Sequence, residues 1–309
     1  MNVSIVLCTH NRADALRMTL RSLSLQRVPH GVSWEVLVVD NASTDHTARV
    51  AKEAASILPC RYAFEPRVGK SFALNTAARD VAASDLLLFT DDDIVAHEDW
   101  VSVMWQTFSQ TDCAAAGGRV VPVWPMPKPP WYDDSGEYSL MPGALVHYDH
   151  GGGTRVIPDL PYGANMAFRK GVLDTFGGFN PQLGPRGRTL MRGEDTDYCR
   201  RIRAAGGKIL YVGDAVIYHP VTMERMKKSY FSRWYFQYGR KDILLEPERV
   251  TTHLWFGVPR YLIHRIAEAS LRWVTTTDPR RRFYHRLECS RLLGQAAEYW
   301  RPSARNGGP

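Results

Sequence analysis

Three adjacent carboxylates, Asp91-Asp92-Asp93, close the apolar run Leu86-Leu87-Leu88-Phe89. Neighbouring carboxylates repel one another and add nothing to packing. Their oxygens suit a hard divalent cation, Mg2+ or Mn2+, shared with a substrate phosphate. A solvated acidic turn is the plain alternative, but an apolar strand ending at a ligand-binding edge favours a site. Asp40 closes a second apolar run, Trp34 to Val39, and can accept hydrogen bonds from a nucleobase imide or a ribose hydroxyl. Capping the next helix is its structural alternative, although Ser43 or Asp45 could cap instead. Glu194-Asp195 opens a helical stretch. Acids in a first turn offset the helix dipole by under about 1 kcal/mol, which does not call for two adjacent acids plus Asp197. A general base at this position is the sharper reading. His219 follows the short run Val216-Ile217-Tyr218 and could ligate Mn2+, though a lone histidine is often structural. Cys8 has no evident histidine partner and reads as a buried thiol.

The elements that position these residues alternate. Strand signals at Val3–Leu7, Trp34–Val39, Arg61–Phe64 and Leu86–Phe89 are separated by helical patterns over 12–26, 47–58 and 70–83. This order predicts an α/β fold with a mostly parallel sheet and helices on both faces. Ligands in such sheets bind at the carboxyl ends of strands. The polar clusters Thr9–Arg12, Asp40 and Asp91–Asp93 sit at three such ends.

The 121–160 stretch is rich in proline and glycine and predicts a loop excursion, read as a lid. Further on, Asn165–Arg169, Lys208–Val212 and Ala215–Tyr218 read as short strands. Glu194 to Ala205 reads as a helix stopped by Gly206-Gly207.

The chain has 309 residues, of which 44% are hydrophobic, so it can bury a core and is not a disordered chain. No apolar run reaches the roughly 18 residues of a spanning helix. The first residues carry no basic region of the signal-peptide kind. Five scattered cysteines with no CxxC pair predict a reduced, cytoplasmic protein without disulfides or a zinc knuckle.

The net charge of +7 is unevenly placed. From Arg225 to Pro309 there are 17 Lys/Arg against 7 Asp/Glu, whereas residues 1–224 hold 22 against 25. The last 85 residues read as helical, with Asp278-Pro279 as a helix start. Phe283, Leu287, Leu293, Ala297 and Trp300 would form an apolar face. Tyr230, Phe231, Trp234, Tyr235, Phe236 and Tyr238 alternate with Lys and Arg. That composition suits an anionic membrane interface, a role on the cytoplasmic face of the membrane, or packing and homodimer contacts. No RNA or DNA motif is present, so no nucleic-acid partner is expected.

Taken in order, the motifs resemble glycosyltransferase family 2, the inverting nucleotide-sugar transferases of the GT-A fold. Cys8-Thr9-His10-Asn11-Arg12 resembles the opening P-T-Y-N-R, with Cys and His replacing Pro and Tyr. Val38 to Asp45 is similar to V-V-D-N-x-S-T-D, and Gly69 to Asn75 to a loop and helix start reading N-x-G-x-x-x-A-x-N. Phe89 to Asp93 resembles the DXD strand end. Gly163 to Arg169 and Gly177-Gly178-Phe179 resemble the acceptor-side run, and Arg192 to Tyr198 the G-E-D-x-D motif. The resemblance covers about residues 1–224, taken as the catalytic domain, and leaves 225–309 as a basic helical extension.

The resemblance implies roles. Asp40 would read the base, commonly uracil, framed by Thr9, Asn11 and Arg12, with Lys70 and Asn75 also on the donor side. Asp91 and Asp93 would form the DXD pair, Asp93 the direct ligand of Mn2+ or Mg2+, and Asp92 would lie near the ribose or metal. His219 would complete the metal site. Asp195 would be the catalytic base, Glu194 its neighbour, and Gly163, Asn165 and Arg192 would lie toward the acceptor. The expected function is inverting, metal-dependent transfer from a nucleotide sugar, commonly a UDP-sugar. The acceptor would be a hydroxyl of a glycan or lipid-linked sugar in cell-envelope or exopolysaccharide assembly.

Two rival readings share the architecture. A sugar-nucleotide nucleotidyltransferase would begin with a glycine-rich basic loop, which is absent. An inactive carbohydrate- or nucleotide-binding scaffold would have no need of Asp40, Asp91, Asp93 and Asp195 together. A dehydrogenase would need a glycine-rich turn after the first strand, where Thr9-His10-Asn11-Arg12 stands.

Overall fold

The structure, a computed structural model, describes residues 1–81, 84–187, 189–245 and 253–300. The chain divides into two compact units. The first comprises Met1–Val123, Val146–Gly187 and Glu194–Pro220. The second takes the described residues of Trp124–Leu145, Arg188–Gly193 and Val221–Pro309.

The first unit begins β1 (Val3–Thr9), α1 (Ala13–Leu23), β2 (Trp34–Asp40), α2 (Thr47–Glu53), β3 (Cys60–Phe64), α3 (Lys70–Asp80) and β4 (Leu86–Thr90). It continues with β5 (Val95–Ala96), α4 (Trp100–Gln110), β6 (Ala115–Val123), β7 (Thr154–Arg155), β8 (Asn165–Arg169), α5 (Lys170–Phe176), α6 (Glu194–Ala204) and β9 (Ile209–Pro220). Among the described residues these nine strands form one sheet, ordered β3-β2-β1-β4-β8-β6-β9-β5, with β7 beside β9. The first four strands are parallel. Alternation along them feeds two cores. Val3, Ile5 and Leu7 face α1, α2 and α4 on one side. Val6, Leu37, Leu87 and Phe89 face α3, α5 and α6 on the other. Apolar residues on both faces of each strand thus require helices on both faces.

Strand direction decides what meets at the edge. β8 runs antiparallel to β4, β6 antiparallel to β8, and β9 parallel to β6. β9 therefore runs in the same direction as β4 and delivers its carboxyl end to the same edge. The two strands expected over 208–218 are one strand. Its pairing to β6 jumps from Gly118↔Val212 to Arg119↔Val216, so Gly213–Ala215 bulge out of register. Asn165 fills that bulge, donating to the carbonyls of Arg119 (3.0 Å) and Ala215 (2.9 Å). After α6, Gly206 (φ 80°) turns the chain and Gly207 N–H closes on the Ile202 carbonyl, the stop expected from the Gly-Gly pair.

The 121–160 stretch is not one excursion. Its first three residues complete β6, and 124–145 belong to the second unit. Tyr148 then bridges Val120, and β7 pairs with β9. Backbone pairing thus ties Tyr148 and Thr154–Arg155 to the sheet, so this part of the stretch is not a free loop.

The second unit contains α7 (Lys228–Leu245), the hairpin β10 (Leu254–Trp255) and β11 (Val258–Pro259), α8 (Arg260–Thr275) and α9 (Pro279–Tyr299). Asp278 caps α9 by accepting the N–H groups of Arg280 and Arg281, with Pro279 at the first helical position. The aromatic run of α7 is largely internal. Tyr230, Phe231, Trp234 and Tyr235 pack with Tyr132, Phe283 and Leu287. These four rings therefore are not interface aromatics, because helical spacing turns them inward. Of the apolar face expected here, Phe283 and Leu287 are buried, but Leu293 on α9 and Trp300 just past it are exposed; Leu292 and Ala296 are buried instead.

Candidate functional site

All the site geometry below lies within the first unit. The parallel register sets Thr9 beside Asp40 and Leu7 beside Thr90, so the turns after β1, β2 and β4 leave the sheet together. Asn41 N–H donates to the Thr9 carbonyl. Asn11 takes a left-handed backbone (φ 53°) and its Oδ1 accepts Thr44 N–H at 2.7 Å, tying the first turn to the second. Asp40 is buried. Its Oδ1 accepts Ser43 N–H (2.9 Å) and its Oδ2 accepts the Tyr62 hydroxyl (3.0 Å). Asp40 thus shapes its own turn rather than capping α2, whose first N–H goes to Asp45. Burial, helped by Asp40, pushes the Tyr62 phenol up to about 12 and keeps it a donor.

The acidic cluster is divided among partners. Arg12 Nη1 reaches Asp92 Oδ1 at 3.0 Å and Asp93 Oδ2 at 2.9 Å. Burial pushes Asp92 up to about 6 against the pull of Arg12, with repulsion from Asp93 adding to the rise. Asp93 turns its other oxygen to His219 Nε2 at 3.2 Å. Asp91 Oδ1 holds Lys70 Nζ at 2.6 Å. One donor atom each from Asp91, Asp93 and His219 lies within 4.8 Å of the others. Two carboxylate oxygens and an imidazole nitrogen are a donor set that fits Mn2+ and, less closely, Mg2+. Burial pushes the Cys8 thiol up to about 12, so it stays protonated at neutral pH.

Lys70 connects this cluster to α6. Burial disfavours its charge, but Asp91 and Glu194 outweigh that and raise its pKa. Glu194 Oε1 lies 3.6 Å from Lys70 Nζ and is almost fully buried. Asp195 is half-buried. Its Oδ2 accepts Gly163 N–H at 2.8 Å and its Oδ1 accepts Thr196 N–H at 2.6 Å. Gly163 faces both groups: a Cβ there would sit 3.4 Å from Asp195 Oδ2 and 3.5 Å from Lys70 Nζ.

Two of the expected site residues make bonds that hold the scaffold. Asn165 is fully buried, accepting the Trp100 indole N–H and donating to the β9 bulge, so it holds the sheet. Asn75 spends its amide on the backbone of Phe179, donating to its carbonyl and accepting its N–H, and clamps α3 to the Gly177-Gly178 turn. Arg192 belongs to the second unit. Tyr62, Asn41 and Glu65 escaped the sequence reading. Asn41 links the β2 turn to the loop before α3 through the Arg67 carbonyl and Gly69 N–H. The Arg67 guanidinium, with help from Thr76, holds the Glu65 carboxyl down at about 2. Strand alternation from Val38, paired with Tyr62, was the available signal for the tyrosine.

The sheet order and this edge define a GT-A-type nucleotide-sugar transferase fold. Residues 4–172, more than half of the chain, match the profile of glycosyl transferase family 2. The chain belongs to that family and is a glycosyltransferase. It is 27% identical over 243 residues to the succinoglycan biosynthesis protein ExoM of Rhizobium meliloti, covering 78% of this chain and 74% of that one. It is 25% identical over 229 residues to the glucosyl-dolichyl phosphate glucuronosyltransferase of Haloferax volcanii, covering 71% and 69%. Among solved structures, a mannosyltransferase from Pyrobaculum calidifontis in complex with GDP-Man and Mn2+ superposes with a TM-score of 0.56. That match has 19% identity and covers 99% of this chain and 76% of that one. S. aureus TarS 1-349 in complex with UDP gives 0.54 at 16% identity, covering 100% and 92%.

Proposed function

We propose that the protein transfers a sugar, with inversion, from a nucleoside-diphosphate sugar to a hydroxyl of a glycan or lipid-linked acceptor in polysaccharide or glycolipid assembly. The observation that carries this reading is the convergence of Asp91, Asp93 and His219 on one point, with Lys70 leading from it to Glu194 and Asp195. Relatives named for succinoglycan biosynthesis and for a dolichyl phosphate-linked sugar support the acceptor class.

Asp91, Asp93 and His219 would hold Mn2+ or Mg2+, which when bound supplies positive charge opposite the departing diphosphate. Asp40 would accept the imide N–H of a uracil-like base on the second lone pair of Oδ1, which already accepts Ser43 N–H, while Tyr62 fixes Oδ2. Lys70 balances Asp91 and Glu194 and adds positive charge beside the leaving group. Asp195 Oδ2, oriented by Gly163 N–H, takes the proton from the attacking hydroxyl. Attack from the face opposite the leaving group inverts the anomeric carbon, so an α-linked donor gives a β-linked product. Anomeric proton couplings of the isolated product test this. A β-linkage is expected; retention would remove Asp195 from the role of base in a single displacement.

A further inference from the structure

We infer that the β10–β11 hairpin is a docking wedge for a lipid bilayer carrying anionic headgroups. Its two-residue turn is Phe256-Gly257, with φ of 52° and 79°. Two consecutive left-handed residues make a type I′ turn, where Asn or Gly is at ease and a bulky aromatic is not. The Phe256 side chain gains nothing from the fold in return, being 90% exposed. Leu254 and Trp255, just before it, are also exposed. Trp300 joins them, its indole N–H donating to the Phe256 carbonyl at 2.8 Å while its ring stays 58% exposed. Four exposed large apolar side chains thus lie on this hairpin or against its turn.

The surroundings are cationic. The Arg260 guanidinium lies 4.9 Å from the Trp255 ring centre, and Arg265 is exposed on the next turn of α8. Aromatic rings at headgroup depth with arginines toward phosphate is the arrangement of an interfacial anchor. A two-fold contact with a second copy would set this cationic surface against itself, which is unfavourable. Among the described residues no helix is long and apolar enough to cross a membrane, so the wedge would act at the surface.

Co-sedimentation of the whole chain with vesicles of phosphatidylcholine, with and without phosphatidylglycerol, tests the inference without donor or acceptor, and so independently of the transferase reading. The protein should pellet with the anionic vesicles and be released by salt. Phe256→Asn keeps the turn, since Asn favours left-handed backbone, and should weaken binding about tenfold with a melting temperature no lower than the parent's. Arg260→Glu with Arg265→Glu should abolish the preference for phosphatidylglycerol. Equal pelleting with both vesicle types, or full binding by Phe256→Asn, would overturn the inference. So would a dimer that Phe256→Asn dissociates in the absence of any vesicle binding.

Discussion

The Lys70 ammonium lies 2.6 Å from the Asp91 carboxylate. One salt bridge thus joins the end of β4 to the start of α3, and the same nitrogen lies 3.6 Å from Glu194 at the start of α6. Replacing Lys70 by Met leaves both carboxylates without their shared counter-ion. A loss of about 1–3 kcal/mol in unfolding free energy is expected, read by urea titration without metal. Added Mn2+ should restore part of it, because the freed Asp91 gains a cation. A Lys70→Met variant as stable as the parent in metal-free buffer would contradict this role.

His219 should set metal affinity. It is fully buried on β9 and faces Asp93 at 3.2 Å. His219→Ala is expected to weaken Mn2+ binding at least about tenfold, followed by the paramagnetic resonance of the free ion. Unchanged affinity would reduce His219 to a packing residue.

Asp195→Asn keeps the side-chain shape and the bond from Gly163 N–H but cannot accept a proton. The turnover number should fall about a hundred- to ten-thousand-fold, with nucleotide affinity unchanged. Steady-state kinetics beside equilibrium nucleotide binding separates the two. Turnover near the parent value would place the base elsewhere.

Glu65 predicts an acid limit to stability. Its folded pKa is lowered to about 2 from a model-peptide value of 4.5, chiefly by Arg67. A depressed carboxyl stabilises the fold above its unfolded pKa, and that contribution is lost as pH falls from about 4.5 toward 2. Urea unfolding across this window should show the parent losing stability faster than Glu65→Gln. Parallel curves would show that Glu65 is not a source of the loss.

Gly118 sits where Asn165 and the Ala215 carbonyl leave no space for a Cβ. Gly118→Ala should cost about 1–3 kcal/mol by overpacking. Because the β9 bulge leads into His219, Mn2+ affinity should fall with it. A destabilised variant with intact metal affinity would show that the bulge does not position the histidine.

Much of this sheet edge was legible in the sequence, because apolar runs ending in Asp40 and Asp91–Asp93 mark strand ends without any knowledge of pairing. Asp91, Asp93 and His219 could be grouped only by resemblance. Their meeting depends on β9 running parallel to β4 through two antiparallel neighbours, which no local pattern encodes. Asn165 was placed toward the acceptor through the resemblance alone; only the bulge opposite it explains its burial. The aromatics of α7 looked like an interface because mixed Lys and aromatic composition does not say which face packs. Among the described Trp, Tyr and Phe residues of the second unit, Trp255, Phe256, Tyr261 and Trp300 are the rings most open to solvent.

The most direct test of the donor site is calorimetric titration of UDP, and then GDP, into the protein with and without Mn2+, repeated on Asp93→Ala. The site described predicts that one nucleotide binds only with Mn2+ and that Asp93→Ala abolishes the binding. Binding that is indifferent to metal and to Asp93, or no binding of either nucleotide, would contradict it.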